Sequence, residues 1–312
     1  MKLSELVALR TSITRAFNPA PITTGLDVLD TDLCNVKNST DDIEIKNEIS
    51  SLTTNLHEIY NSLKLSQDQF NNIVGVINQR ILDSSKHFFT ENYEIELSYN
   101  DVENSRAVRV MPLSEELRNR VAYRIQFYTD WKYPALEIGC RDGEWTEYLV
   151  AADPLYLVDF YREFTESAVK NFTEEYRRRV RVYLAKDHNL TVLPANQFGF
   201  IFSWNHINYL SLDTVKQYLK TTYNLLRPGG TFMFSYNNGD TQFGAAYAES
   251  YFMSYIPKSM LLPLCESIGF KITHTEDILD TLGVSWVEIQ KPGVLSTVKA
   301  HQVLGELRPI TY

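Results

Sequence analysis

The sequence predicts an α/β fold for the larger, C-terminal part of the chain, with a helix and a long self-associating helical segment ahead of it. Three observations carry that expectation. Short apolar runs alternate with helical stretches from Ala135 onward, the first of those runs flows into a glycine-bearing turn, and apolar residues upstream recur in alternating steps of four and three. Alternating strands and helices imply a parallel sheet with helices on both faces.

The first strand and turn lie in Ala135-Leu-Glu-Ile-Gly-Cys-Arg-Asp-Gly-Glu-Trp-Thr146. Glu137 ends the apolar run, Gly139 and Gly143 lack a Cβ that would hold a ligand away, and Gly143 is expected to open a helix whose N–H groups face the same space. A dinucleotide site would need G-x-G-x-x-G and a phosphate loop a Gly-Lys-Ser/Thr ending, and neither is present. Leu155-Tyr-Leu-Val-Asp159 is a second apolar run ending in an acid, whose carboxylate can accept two hydrogen bonds from a ribose. Arg181 to Ala185 and Phe198 to Trp204 are the third and fourth strands, with helices from Glu163 to Arg178 and from Leu212 to Leu226. Leu225-Leu-Arg-Pro-Gly-Gly230 stops a helix and launches Thr231 to Ser235. A helix from Ser259 to Ile268 and strands at Lys271 to Ile278 and Val284 to Ile289 follow.

These motifs, from Met111 to Pro292, resemble the class I S-adenosylmethionine (SAM) dependent methyltransferases, and the resemblance implies a Rossmann-like seven-stranded domain over residues 111–312. It further implies that Glu137 orients the methionyl end of SAM, that Gly139 and Gly143 line it, that Asp159 holds the ribose, and that Asp187 lies near the adenine amino group. Ser203-Trp-Asn-His-Ile-Asn-Tyr209 would face the place where acceptor and methyl meet, with Asn205 in the cofactor-binding set. His206 is the candidate general base, against a surface histidine at a helix entrance. Trp204 and Tyr209 either stack on a ligand or pack in the core, and Asn237-Asn-Gly239 reads first as a turn.

Departures from the family pattern matter as well. Arg141 stands where a second glycine is usual, and its side chain either fills cofactor space or pairs with the cofactor carboxylate. Gly199 and Asn205 stand where relatives carry acids, which weakens acid-base chemistry. The motif form, with Val284 to Pro292, is similar to methyltransferase-like proteins of bacteria and tailed phages.

Before the domain, residues 1–41 read as an N-terminal helix and linker, 42–82 as a coiled coil and 83–110 as a connecting segment. Ile49, Leu56, Leu63, Phe70 and Ile77 take a positions, and Ile45, Leu52, Ile59, Ser66 and Ile73 take d positions. The Ile-rich d layers favour a parallel homotrimer through residues 45–77. Met1 to Phe17 reads as a short helix ended by Asn18-Pro-Ala-Pro21, able to dock a larger assembly or to cap the rod, and Thr23 to Asn38 shows no period.

At 312 residues, 44% hydrophobic, the chain can bury a substantial core. A net charge of -9 argues against wholesale nucleic-acid binding, and Arg177, Arg178, Arg179 and Arg181 read as a helix C-terminus. Cys34, Cys140 and Cys265 lack metal-ligand spacing, no metal is expected, and Cys140 fits as a small apolar residue beside the cofactor rather than a nucleophile. No signal-peptide core or membrane-length run is seen, so the expected location is cytoplasmic, or a virion if the chain is phage-encoded.

The expectation is therefore an oligomeric SAM-dependent methyltransferase with a small-molecule or glycan acceptor. Its rival is a catalytically degenerate scaffold, such as a virion component. A nucleic-acid methyltransferase is disfavoured by the acidic balance and by the lack of an Asn/Asp-Pro-Pro-Tyr/Phe segment.

Overall fold

A computed structural model describes residues 2–16, 20–39, 43–90, 113–278 and 284–295. The chain divides into two compact units, Met1–Lys86 and His87–Tyr312.

The first unit is helical: α1 (Leu3–Ala16), α2 (Ala20–Ser39) and most of α3 (Ile43–Thr90). Arg10 Nη1 lies 3.5 Å from Asn78 Oδ1, and Asp30 Oδ1 lies 4.0 Å from His57 Nε2. The earlier helix thus meets the later part of α3, so α1 and α2 run back along it. The segment from Thr23, read as irregular, belongs to α2; the 42–82 rod lengthens to Thr90, and the rest of the connecting segment, 91–110, lies outside the described residues. Lack of an apolar period did not prevent a helix, because α2 leaves Val28 and Leu29 exposed and so needs no regular stripe.

The heptad divides between two environments. The a residues Ile49, Leu56 and Ile77 are buried within the unit, and Leu63 and Phe70 are half-buried. The d residues Ile45, Leu52, Ile59 and Ile73 stay 43%, 49%, 52% and 51% exposed. Half-buried Thr53, Gln67 and Val74, with buried Ile81, place the inward stripe on the a and e flank. The apolar seam is therefore wider than the in-chain contact, and its d edge is left open.

The second unit carries α4 (Glu115–Tyr128) and a seven-stranded sheet of order β3-β2-β1-β4-β5-β7-β6. Its strands are β1 (Ala135–Ile138), β2 (Leu155–Asp159), β3 (Val180–Leu184), β4 (Phe198–Ser203), β5 (Leu226–Asn237), β6 (Lys271–Asp277) and β7 (Val284–Gln290). Strands β1 to β5 are parallel, while β7 runs antiparallel to both β5 and β6. Between them lie α5 (Arg162–Lys170), α6 (Glu174–Arg177), α7 (Leu212–Leu225), α8 (Gln242–Glu249) and α9 (Lys258–Ile268). The helix expected from Glu163 to Arg178 breaks in two at Thr173, whose hydroxyl caps α6.

Alternation along β1 shows how the core forms. Ala135 packs with α4 residues Leu117, Val121 and Ile125, whereas Leu136 and Ile138 face Val215 and Leu219 of α7 and Leu261 of α9. On the α4 face, fully buried Glu288 of β7 accepts a hydrogen bond of 2.7 Å from Arg124 Nε and one of 2.6 Å from the Tyr128 hydroxyl. This pairing ties α4 across the sheet. Burial cost is offset because every partner is hydrogen-bonded, and the carboxyl is held below the usual range despite desolvation. Among the described residues no helix is long and apolar enough to cross a membrane.

Candidate cofactor site

Strand order reverses between β1 and β4, so the crevice beyond their C-terminal ends is the natural ligand position in an open sheet. Gly139 leaves β1 at φ 74° and donates its N–H to Val158 O at 2.8 Å, holding the turn beside β2. A Cβ on Gly139 would lie 2.8 Å from the His206 Cβ, so this glycine makes room for the histidine. Gly143, at φ 88°, serves a different neighbour: its Cβ would sit 2.9 Å from Ala168 Cα in α5. Instead of opening an α-helix, Gly143 leads into a 3-10 helix, Thr146–Leu149. Trp145 and Leu149 are both buried, and β2 begins at Leu155, which leaves little length for further helical turns. A strong helix dipole is thus not part of this turn.

Asp159, buried at the end of β2, is held from two sides. Its Oδ2 accepts the Arg141 N–H at 2.9 Å, and its Oδ1 accepts the Tyr161 N–H at 3.2 Å. A carboxylate has about four acceptor positions, so two backbone bonds leave capacity for vicinal hydroxyls. Burial raises its pKa, and the backbone N–H groups with the Arg141 cation oppose that rise. Arg141 itself sits at φ 48°, a left-handed conformation that a glycine would adopt without steric cost.

Glu137 is fully buried one strand away and accepts the Thr146 hydroxyl at 2.6 Å. Burial pushes its carboxyl up to about 8; the Thr146 bond opposes this, and the charges of Asp159, Asp142 and Glu144 add to it. The Cys140 thiol, buried and beside the same acids, is pushed well above its ordinary value, which leaves it protonated and suits a packing role.

Beyond β4, Asn205 sits at φ 51° and donates its N–H to Ser235 Oγ at 2.8 Å. His206 then packs on Gly139, with its Nε2 3.2 Å from the Tyr218 hydroxyl. His188 Nδ1 lies 3.1 Å from the same hydroxyl, and the Phe160 ring stands 5.1 Å from His188 and 6.1 Å from His206. Burial, with His188 nearby, lowers the His206 pKa to about 3. A ring so hard to protonate is a wall with polar edges and a weak base. By solvent exposure the residue is half-buried, and it stands at the entrance of a 3-10 helix, Ile207–Tyr209, as the alternative reading has it.

Asp187 is exposed and its Oδ1 accepts the Asn189 N–H at 2.9 Å within its own turn. Trp204 is buried among aromatic rings, and Tyr209 is half-buried against the same cluster. Asn237 is the last residue of β5 and fully buried, so the Asn-Asn-Gly segment is not simply a turn. Gly199 lies at the opposite end of β4 from the crevice, where a Cβ would meet Tyr133 Cβ at 2.7 Å. Its missing charge therefore bears on packing rather than chemistry. The arginine cluster is largely spent locally: Arg177 donates to Phe172 O and Lys170 O, and Arg181 to Arg178 O. Thr146, His188 and Tyr218 were invisible to motif reading, since each acquires its role only when separate segments meet.

These residues fit SAM, the cofactor of the resembling family. Two buried carboxyls at adjacent strand ends complement a ligand bearing a sulfonium and an ammonium, and Phe160 with His206 offers ring faces for a base. Among the described residues no group of His, Cys, Asp or Glu could hold a metal ion.

The family whose model matches, described as a methyltransferase domain, covers residues 135–230. No curated protein matches the chain. Among solved structures, the N-methyltransferase NodS of Bradyrhizobium japonicum, in complex with S-adenosyl-L-homocysteine, is 16% identical, covering 62% of this chain and 98% of its own, with a TM-score of 0.48. A SAM-dependent methyltransferase of Clostridium acetobutylicum is 15% identical over 62% of this chain and 99% of its own, with a TM-score of 0.49. One from Aquifex aeolicus is 13% identical over 63% of this chain and 100% of its own, at 0.47. Residues 135–230, which match the methyltransferase-domain model, also hold the glycine turn and its two strand-end acids.

Proposed function

We propose that this chain is an active SAM-dependent methyltransferase acting on a small molecule or glycan. The observation that carries the reading is Asp159, fixed by the backbone of the glycine turn with acceptor capacity to spare. SAM supplies an already activated methyl group, so the protein's work is alignment. Asp159 would hold the ribose, Glu137 the charged methionyl end, and Phe160 and His206 the adenosine. Gly139 and Gly143 shape that turn, Gly139 by admitting His206 and Gly143 by admitting α5. Arg141 and Asn205, both left-handed, complete the rim. His206, half-buried and with its Nε2 3.2 Å from the Tyr218 hydroxyl, fits positioning better than proton removal. Asp187, exposed and using only Oδ1 in its own turn, keeps acceptor capacity for an adenine amino group.

The same reading has the chain self-associate through α3. The open d edge of Ile45, Leu52, Ile59 and Ile73 repeats at heptad spacing, and a second and third copy laid on it would bury it. The N-terminal helix presents Leu9 on its exposed side, a foothold for a larger assembly. A second reading, an inactive methyltransferase-like scaffold in the cytoplasm or in a phage particle, is favoured by Arg141 in place of glycine. Calorimetry with SAM and S-adenosyl-L-homocysteine separates the two. Binding of both supports the enzyme, and no binding of either at millimolar ligand supports the scaffold.

A further inference from the structure

We propose that Arg118 of α4 is a positioning residue for the cofactor turn: it braces residues 144–148 and, through Thr146, holds Glu137 in place for the methionyl end of the ligand. The inference rests on the cofactor reading of that turn.

This turn has reason to need a brace. Arg141 sits left-handed at φ 48°, a conformation costly to any residue with a Cβ, and the chain then enters a 3-10 helix, whose hydrogen bonds are poorer than those of an α-helix. Neighbours hold the first half. Asp159 Oδ2 accepts the Arg141 N–H at 2.9 Å, and Asn171 Nδ2 donates to Asp142 O at 3.1 Å. Arg118 serves the second half. Its Nη2 donates to Glu144 Oε1, and its guanidinium lies 5.5 Å over the ring of buried Trp145. It reaches Tyr148 as well: burial and Glu147 raise the Tyr148 pKa, and the charge and hydrogen bond of Arg118 oppose the rise. A planar group with five N–H donors and two faces can meet an acid, a ring and a hydroxyl together, which the point charge of a lysine cannot.

The brace is itself anchored. Leu117, Val121 and Ile125 of α4 are buried, and the Leu117 N–H is capped by Ser114 Oγ at 3.2 Å. Arg120 Nη1 lies 2.7 Å from Glu276 Oε1 of β6, and Arg124 Nε donates to fully buried Glu288 Oε1 of β7 at 2.7 Å. Three arginines of one helix thus pair with the turn after β1 and with the two strands at the far side of the sheet. Within the braced segment Thr146 donates its hydroxyl to Glu137 at 2.6 Å. Loosening residues 144–148 would release that bond and let the Glu137 carboxyl turn, so cofactor affinity falls with the fraction of time the turn is closed.

Amide hydrogen exchange of the full, ligand-free chain, with calorimetry of SAM and S-adenosyl-L-homocysteine, compares the wild type with Arg118→Gln and Arg118→Lys. The N–H groups of Gly143, Thr146 and Tyr148 bond within the turn at 2.9, 3.2 and 3.0 Å. In Arg118→Gln they should exchange about tenfold faster with β1 protection unchanged, the size of one half-buried ion pair and one cation–π contact. Both ligands should bind more weakly, by up to about tenfold. Arg118→Lys keeps a cation without the fork and should recover part of both losses. Unchanged exchange at the three amides overturns the inference, and so does exchange raised equally in β1, which marks a global loss of stability. Tighter SAM with unchanged S-adenosyl-L-homocysteine overturns it too, because removing a positive charge by itself favours the ligand that carries the sulfonium. Faster exchange in the turn of Arg118→Gln, with neither ligand bound even by the wild type, would instead support the brace and overturn the cofactor reading.

Discussion

Replacing Glu137 with glutamine should stabilise the methyltransferase domain at neutral pH and leave it unchanged in acid. The carboxyl is fully buried, and its pKa rises from 4.5 to about 8 on folding, chiefly by desolvation. A group whose folded pKa is raised contributes stability that is complete below its unfolded value and is lost as pH rises through the folded one. For Glu137 the window of loss therefore runs from about pH 4.5 to about pH 8. At pH 7 the gap corresponds to about 3 kcal/mol, taking 1.36 kcal/mol per unit over the part of the shift already crossed. Glutamine keeps an oxygen for the Thr146 hydroxyl and carries no charge to desolvate. Urea unfolding at pH 5, 6, 7 and 8 should give wild-type stabilities that fall with pH against a flatter Glu137→Gln series. Parallel curves would refute the reasoning. Because the methionyl ammonium of SAM favours the ionised carboxylate, calorimetry of SAM binding in buffers of different ionisation enthalpy should also reveal proton release at pH 7, and Glu137→Gln should abolish it.

Arg141→Gly removes a side chain from a left-handed position and should raise stability by about 1 kcal/mol. Its effect on SAM affinity is diagnostic: tighter if the side chain fills methionyl space, weaker if the guanidinium pairs with the carboxylate, and equal affinities would reject both. Tyr218→Phe removes the hydroxyl that meets both His188 and His206, so SAM affinity should fall about tenfold while NMR shows His206 still neutral at pH 5. A His206 that titrates near pH 6.5 in the wild type would contradict the lowered pKa. In the first unit, Ile59→Asp with Ile73→Asp should abolish the proposed self-association with helicity retained, since both side chains are exposed. Leu56→Asp should instead melt the unit, because Leu56 is buried within it, and light scattering with circular dichroism distinguishes the two.

Much of the sheet was legible because buried parallel strands announce themselves as short apolar runs. Leu155 to Asp159 matches β2 residue for residue, and the acid at its end marks the crevice. Periodicity was also enough to find α3, but it could not say which side of the seam is used in-chain, since a and d residues look alike until α1 and α2 are placed. Gly143 shows the limit for motifs: the glycine also makes room for Ala168 of α5, a neighbour the motif does not name. The Glu137 and Thr146 pair and the Tyr218 bridge join residues from different elements. Local sequence carries no record of such meetings.

The most direct test of the central claim is isothermal calorimetry of SAM with the wild-type chain and with Asp159→Ala. The account predicts saturable binding to the wild type and a loss of on the order of 1.5 to 3 kcal/mol in the variant, the range for hydrogen bonds to a charged group. Unchanged affinity in Asp159→Ala would show that this carboxylate does not clamp the ribose, and a wild-type chain that binds no SAM at millimolar concentration would contradict the claim outright.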